Sequence, residues 1–188
     1  MAAPTPHLCH DAPGGTFQAA GERFVNFVAI DFETADYGRD SACAVGMVRV
    51  DDGAITAREH RLIRPPRPDF VFTYIHGITW EDVAAEPEFG PVWEGLAGML
   101  EGADFLVAHN APFDRGVLRA CCAEAGVEEP DLRWECTVRM ARRHLKIKPA
   151  TLDNVCRTLG IELQHHQALS DAEACARIAL LAMERMDT

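Results

Sequence analysis

The 188-residue chain reads as one α/β domain built on a mixed five-stranded sheet flanked by helices, and three observations predict this. Three β-patterned segments follow one another through short turns. Two further short apolar strands then alternate with segments of helical periodicity. An apolar content of 48% over 188 residues fills one core well, yet the chain is too short for two domains of typical size.

The elements follow in chain order. Phe27 to Glu33, Ala42 to Val50 and Ile55 to Ile63 read as successive strands, and Asp51-Asp52-Gly53 between the last two favours an antiparallel hairpin. Pro65, Pro66 and Pro68 forbid regular pairing and mark a loop. Thr79 is placed to cap a short helix, and Glu88 to Leu100 reads as a longer one. Phe105 to Ala108 is a short apolar strand. Phe113, Val117, Leu118, Cys121 and Ala125 recur at near-helical spacing, with Gly126 suited to end that helix. A strand around Trp134 and helices near Val138 to Leu145, Thr151 to Leu159 and Ser170 to Met186 complete the pattern. Three adjacent strands followed by strand and helix alternation imply a sheet of mixed direction.

Lys and Arg total 18 against 29 Asp and Glu, a formal net charge of -11. Such a field opposes non-specific adsorption to nucleic acid, so any contact with it has to be local. Arg139, Arg142, Arg143, Lys146 and Lys148 form the densest positive cluster, either a path for phosphates or a solvated helix face. The seven cysteines lack CxxC spacing and fall largely in apolar periodic segments, as expected of reduced core residues in a cytoplasmic protein. Met1 to Glu22, rich in Ala, Pro and Gly and without the apolar stretch of a secretory signal, reads as a mobile tail ahead of a domain spanning 23–188. No apolar run approaches the roughly 20 residues of a membrane span, so a soluble protein without a membrane partner is expected.

Asp31 and Glu33 close the first strand two residues apart, which turns both carboxylates to one face, roughly 6.6 Å apart along the backbone. Asp114 starts the helix after His109-Asn110-Ala111-Pro112, and Asp171 lies in the first turn of the last helix with His166 in the loop before it. Each helical Asp alone has a plain explanation as a cap worth about 0.5 to 2 kcal/mol. Four carboxylates without a thiolate suit Mg²⁺ or Mn²⁺ instead. Two such ions about 3.5 to 4 Å apart activate water and stabilise the attacking and leaving oxygens of a phosphodiester. His166, five residues ahead of Asp171, supplies the type of group that titrates near neutrality and takes the water's proton.

Asp31-Phe32-Glu33-Thr34, Ile75-His76-Gly77-Ile78-Thr79, His109-Asn110-Ala111-Pro112-Phe113-Asp114 and His166-Gln167-Ala168-Leu169-Ser170-Asp171 together resemble the ordered motifs of DnaQ-like 3′-5′ exonucleases of the DEDDh type, in the RNase H-like superfamily. The resemblance covers roughly Asn26 to Glu184. It implies that Asp31 bridges two ions, that Glu33 and Asp171 complete the site of the attacking water, that Asp114 supports the second ion and that His166 is the base. It further implies release of nucleoside monophosphates from the 3′ end of a single strand, DNA favoured over short RNA, with Phe32, Thr34, His76 and Asn110 as substrate contacts. Asn110 is also placed to orient the carboxylates of the first strand, and His109 to make structural hydrogen bonds. His165 reads as solvated or as a substrate contact, and Asp36 and Asp40 as solvated loop residues. Phe32, Phe72, Tyr74 and Trp80 flank the motifs, either stacking on bases or buried. Ala35 stands where polymerase proofreading subunits carry Thr-Gly, as in free-standing bacterial members, and no polymerase-binding tail is expected after the last helix. A repair, processing or nucleotide-salvage role fits this pattern. A catalytically silent nucleic-acid- or protein-binding module on the same scaffold is the alternative.

Overall fold

A computed structural model of the protein describes residues 25–186, so Cys9 and the tail expected over 1–22 lie outside the described residues. The strands β1 (Phe27–Thr34), β2 (Ala42–Asp51), β3 (Ala54–Leu62), β4 (Phe105–Ala108) and β5 (Arg133–Cys136) form one sheet in the order β3-β2-β1-β4-β5. β1, β2 and β3 pair antiparallel through the expected Asp51-Asp52-Gly53 turn, where Asp52 and Gly53 have φ of 51° and 76°. β4 joins β1 in parallel and β5 joins β4 in parallel, which makes the sheet mixed as predicted.

The helices are α1 (Thr73–His76), α2 (Trp80–Val83), α3 (Phe89–Leu96), α4 (Pro112–Ala125), α5 (Thr137–Met140), α6 (Leu152–Leu159) and α7 (Ala168–Glu184). The helix expected over Glu88 to Leu100 ends at Leu96 and tightens into a 3₁₀ turn, Ala97–Leu100. The segment near Val138 to Leu145 begins one residue earlier as α5 and widens into a π turn over Ala141–Leu145. Gly126 and Gly160 end α4 and α6 in the left-handed conformation that a residue without Cβ adopts readily.

Alternation along β1 divides the interior. Val28, Ile30 and Phe32 pack with Leu106, Val117 and Leu118 on the α3 and α4 side. Phe27 and Ala29 pack with Val48 and the helix α7 on the other. Full burial of a side chain such as Ile30, Leu106 or Leu118 contributes about 1.5 to 3 kcal/mol each. Asp31 and Glu33 continue the α7 side of the alternation.

What brings α7 onto that face is small residues. Ala168, Ala172, Ala176 and Ala179 are buried along it. On the sheet side, Gly46 pairs in register with Asp31, and a Cβ at Gly46 would sit 2.2 Å from the Ala168 carbonyl oxygen. Only glycine lets the first turn of α7 rest on the strand there. β1 also carries a register irregularity between Glu33 and Thr34, and an irregularity of this kind re-aims side chains at a strand end.

Candidate active site

The carboxylates gather where the C-terminal end of β1 meets the first turns of α4 and α7. Ligand oxygens of Asp31, Glu33 and Asp171 lie within 4.8 Å of one another. Asp114 stands outside that trio, on α4 across the strand, and its Oδ1 accepts the Phe32 backbone N–H at 3.2 Å. This bond fixes the first turn of α4 to the backbone between Asp31 and Glu33. Glu33, Asp114 and Asp171 are buried, while Asp31 keeps partial contact with solvent.

Burial and mutual repulsion raise all four pKa values. Asp31 rises through burial and then through the charges of Asp114, Asp171 and Glu33. Burial and Asp171 push Glu33 up to about 7. Asp114 rises by burial despite its backbone hydrogen bond, and Asp171 rises by burial despite the two histidines beside it. Among the described residues no Arg or Lys forms an ion pair with any of the four. The Asp171 Oδ1 atom is buried without a hydrogen-bond partner. A buried, unpartnered acceptor within a cluster of hard oxygen ligands fits Mg²⁺ or Mn²⁺.

His165, expected to be solvated or to touch substrate, is exposed, and it also makes a contact that the sequence reading lacked: its Nδ1 lies 2.9 Å from Asp171 Oδ2. His166 reaches the same oxygen through its backbone N–H at 3.2 Å, and its ring stacks on His165 at 3.9 Å between centroids. The positive φ of His166, 66°, explains this arrangement, because it turns the chain so that adjacent rings lie side by side. His166 is half-buried, and burial followed by the charge of His165 lowers its pKa from the ordinary 6.5. His109 is held between Thr137 Oγ1 at 2.8 Å and the Ala150 carbonyl at 3.0 Å.

A cavity of about 320 Å³ adjoins Glu33, lined by Phe32, Thr34, Tyr37, Phe72, His76 and Phe113 among others. His76 Nε2 lies 3.1 Å from the Thr34 carbonyl, and its Nδ1 accepts the Ile78 N–H, so the ring is fixed at the cavity wall. Asn110 does not join them. It takes a φ of 68° at the end of β4, lines a separate cavity, and has no side-chain hydrogen bond to a carboxylate among the described residues. Of the other aromatics, Trp80 packs edge-on against Phe70, and Tyr74 is exposed outside the cavity lining.

Asp36 and Asp40 correct the sequence reading. Arg67 grips both, at 2.6 Å to Asp36 Oδ2 and 2.7 Å to Asp40 Oδ1, and Asp36 is buried. They pin the loop that carries Tyr37 to the Arg67 segment. Gly46, which lets the first turn of α7 approach Asp31, is a residue at the site that the motifs pass over, although a glycine inside a strand pattern is a signal of close backbone approach.

The exonuclease family RNase T matches residues 28–179. The PolC-type DNA polymerase III of Thermotoga petrophila is 34% identical over 164 residues, which is 85% of this chain and 12% of that protein. DNA polymerase III subunit epsilon of Haemophilus influenzae is 32% identical over 170 residues, covering 82% of this chain and 66% of its own length. The chain therefore spans about an eighth of the PolC-type relative and just under two thirds of the epsilon subunit. Exonuclease X, solved with 5′-overhanging duplex DNA, superposes with a TM-score of 0.69 at 28% identity, covering 86% of this chain and 93% of that one. The nuclease domain of 3′hExo, a DEDDh member bound to rAMP, shares the fold with a TM-score of 0.73 at 18% identity, over 88% and 94% of the two chains.

Proposed function

This chain belongs to the RNase T family of exonucleases, and from that premise we propose that it removes nucleoside monophosphates from the 3′ end of single-stranded nucleic acid, DNA in preference to RNA. One observation carries the proposal: three carboxylates within 4.8 Å that no lysine or arginine neutralises, one of them with a buried, unpartnered oxygen. An arrangement this unfavourable on its own supports a site for divalent cations. Its oxygen donors suit Mg²⁺ or Mn²⁺.

Asp31, Glu33 and Asp171 would hold one ion, and Asp31 with Asp114 a second. Bound there, the pair supplies Lewis-acid activation of water and charge neutralisation at the phosphodiester being cut. His166, neutral at pH 7 because its pKa lies below 6.5, takes the proton of the attacking water. His165 is a positioning residue, holding Asp171 and stacking against the base candidate. The cavity beside Glu33 takes the terminal nucleotide. Phe32, Phe72 and Phe113 offer it apolar walls, while Thr34 and the fixed ring of His76 orient the sugar.

The catalytic unit is taken as 23–188. Among the described residues no helix is long and apolar enough to cross a membrane, and six cysteines are buried and free, as suits a reducing, cytoplasmic setting; the repair role rests on the exonuclease reading alone. The DNA preference is supported by the 28% identity to Exonuclease X, whose structure holds DNA.

Digestion of 5′-labelled single-stranded DNA and matched RNA with Mg²⁺ or Mn²⁺ tests the proposal. A ladder shortening from the 3′ end is expected, faster on DNA, with at least about a thousandfold loss in Asp31→Asn, since several kcal/mol of transition-state stabilisation are removed. A faster RNA ladder would reverse the preference. No cleavage of either polymer would favour the silent binding module.

A further inference from the structure

A second cavity, of about 540 Å³, lies on the opposite flank of α4 from the nucleotide cavity. Phe113 and Val117 of α4 line the first, and Pro112, Arg115 and Arg119 line the second. Asp114 sits in the same turn of α4, between Phe113 of the first lining and Arg115 of the second in sequence. Four arginines and no carboxylate line this second cavity. Arg115 and Arg119 form one wall, one helical turn apart and about 6 Å along the axis. Arg139 and Arg142, on α5 and the π turn after it, form the other.

These arginines do little for the fold. Arg115 and Arg119 reach Glu129 at 3.9 and 3.2 Å and Arg139 approaches Glu135 at 3.9 Å, with the arginine side chains 51%, 62% and 72% exposed. Exposed pairs of this length contribute about 0 to 1 kcal/mol. Arg142 has no ion-pair partner among the described residues. In a chain of net charge -11, four arginines that share only two carboxylates, Glu129 and Glu135, both outside the cavity lining, leave a positive surface suited to an external anion. Trp134 and Val138 line the same cavity, and the Trp134 indole N–H is buried without an acceptor. A charged rim with apolar and aromatic lining suits a nucleotide strand better than an acidic peptide, because each repeat offers one phosphate and one flat base.

We propose that this cavity binds the scissile strand on the 5′ side of the bond that is cut. The inference rests on the exonuclease reading: with the terminal nucleotide in the first cavity and the scissile phosphate at the carboxylates, the strand leaves across α4 toward Arg115 and Arg119. Arg139 and Arg142 then close on the following phosphates. The basic cluster of the sequence thus divides, with Arg139 and Arg142 lining the strand path and Arg143, Lys146 and Lys148 outside its lining.

Binding of 5′-fluorescein-labelled dT12 in EDTA tests this apart from turnover, for the wild type, for Arg115→Ala/Arg119→Ala/Arg142→Ala and for the corresponding triple lysine variant. Thermal unfolding verifies that each is folded. The alanine variant should bind at least about tenfold more weakly, and its salt slope should shrink by about 0.7 for each phosphate that is no longer neutralised. The lysine variant should recover most of the salt slope. An unchanged dissociation constant and slope in the alanine variant would overturn the proposal. So would a loss confined to duplexes, which would assign the cavity to the other strand. Hydrolysis of thymidine 5′-(p-nitrophenyl phosphate) by the wild type with Mn²⁺ reads the carboxylate site alone, so failure of the exonuclease reading would register there and not in the binding assay.

Discussion

Two pairs of acidic residues lie within ten positions of each other and are treated in opposite ways. Asp36 and Asp40 share Arg67, whose guanidinium hydrogen-bonds to both carboxylates and holds both pKa values below the ordinary range. Asp31 and Glu33 face Asp171 with no such partner, and their pKa values are raised. A carboxylate pair that serves the fold is neutralised by the fold. One that has no Arg or Lys partner among the described residues costs stability in the absence of a cation, and the proposed metal site would make that a trade of stability for function.

Neutralising one member of each pair should therefore have opposite effects on stability. In EDTA the folded protein holds extra protons on Glu33, because its pKa near 7 exceeds the ordinary 4.5. The stability that this protonation gives is complete below about pH 4.5 and is lost as pH rises through about 7. At pH 8 without metal, Glu33→Gln should raise stability by about 1 to 3 kcal/mol while reducing Mg²⁺-dependent cleavage at least about a thousandfold. Thermal melts from pH 5 to 8, paired with cleavage rates, check both signs. A variant less stable than wild type at pH 8 would break the comparison.

The uncompensated cluster also depends on close approach of α7. Gly46→Ala would place Cβ 2.2 Å from the Ala168 carbonyl oxygen and push the first turn of α7, with Asp171, away from Asp31. We expect a loss of about 1 to 3 kcal/mol in urea unfolding and a weaker apparent affinity for Mn²⁺. Retention of wild-type metal affinity would show that Gly46 does not position the cluster.

The smallest effect is expected at the compensated pair. Arg67→Ala should cost about 1 to 2 kcal/mol at pH 7, since it breaks charge-assisted hydrogen bonds of a partly exposed guanidinium. The folded pKa values of Asp36 and Asp40 are depressed, so the difference from wild type is present above about pH 4 and fades as the carboxylates protonate in acid. Urea titrations at pH 7 and pH 3 check this, and a difference that persists at pH 3 would contradict it.

The sequence and the structure agree most closely where the signal is local. The period-two strands, the Asp51-Asp52-Gly53 turn and the closing Gly126 each depend on residues a few positions apart, and they appear within one or two residues of the expected bounds. The start of α7 differs because Ser170, which resembles a cap, uses its hydroxyl to accept the Gln164 N–H while the helix begins at Ala168. The Arg67 contacts bridge 27 and 31 residues through a proline-rich loop, a separation that leaves no periodic trace. The His165 contact with Asp171 depends on a single positive φ at His166, which residue spacing does not reveal.

The central claim is that the carboxylate cluster is completed by divalent cations. Calorimetric titration of Mn²⁺ at pH 7, in two buffers of different ionisation enthalpy, tests it most directly. Binding should release about one proton or more, as Glu33 and its neighbours ionise, with both binding and release abolished in Asp31→Asn and retained in Asp36→Asn. Absence of Mn²⁺ binding, or binding without proton release that survives Asp31→Asn, would contradict it.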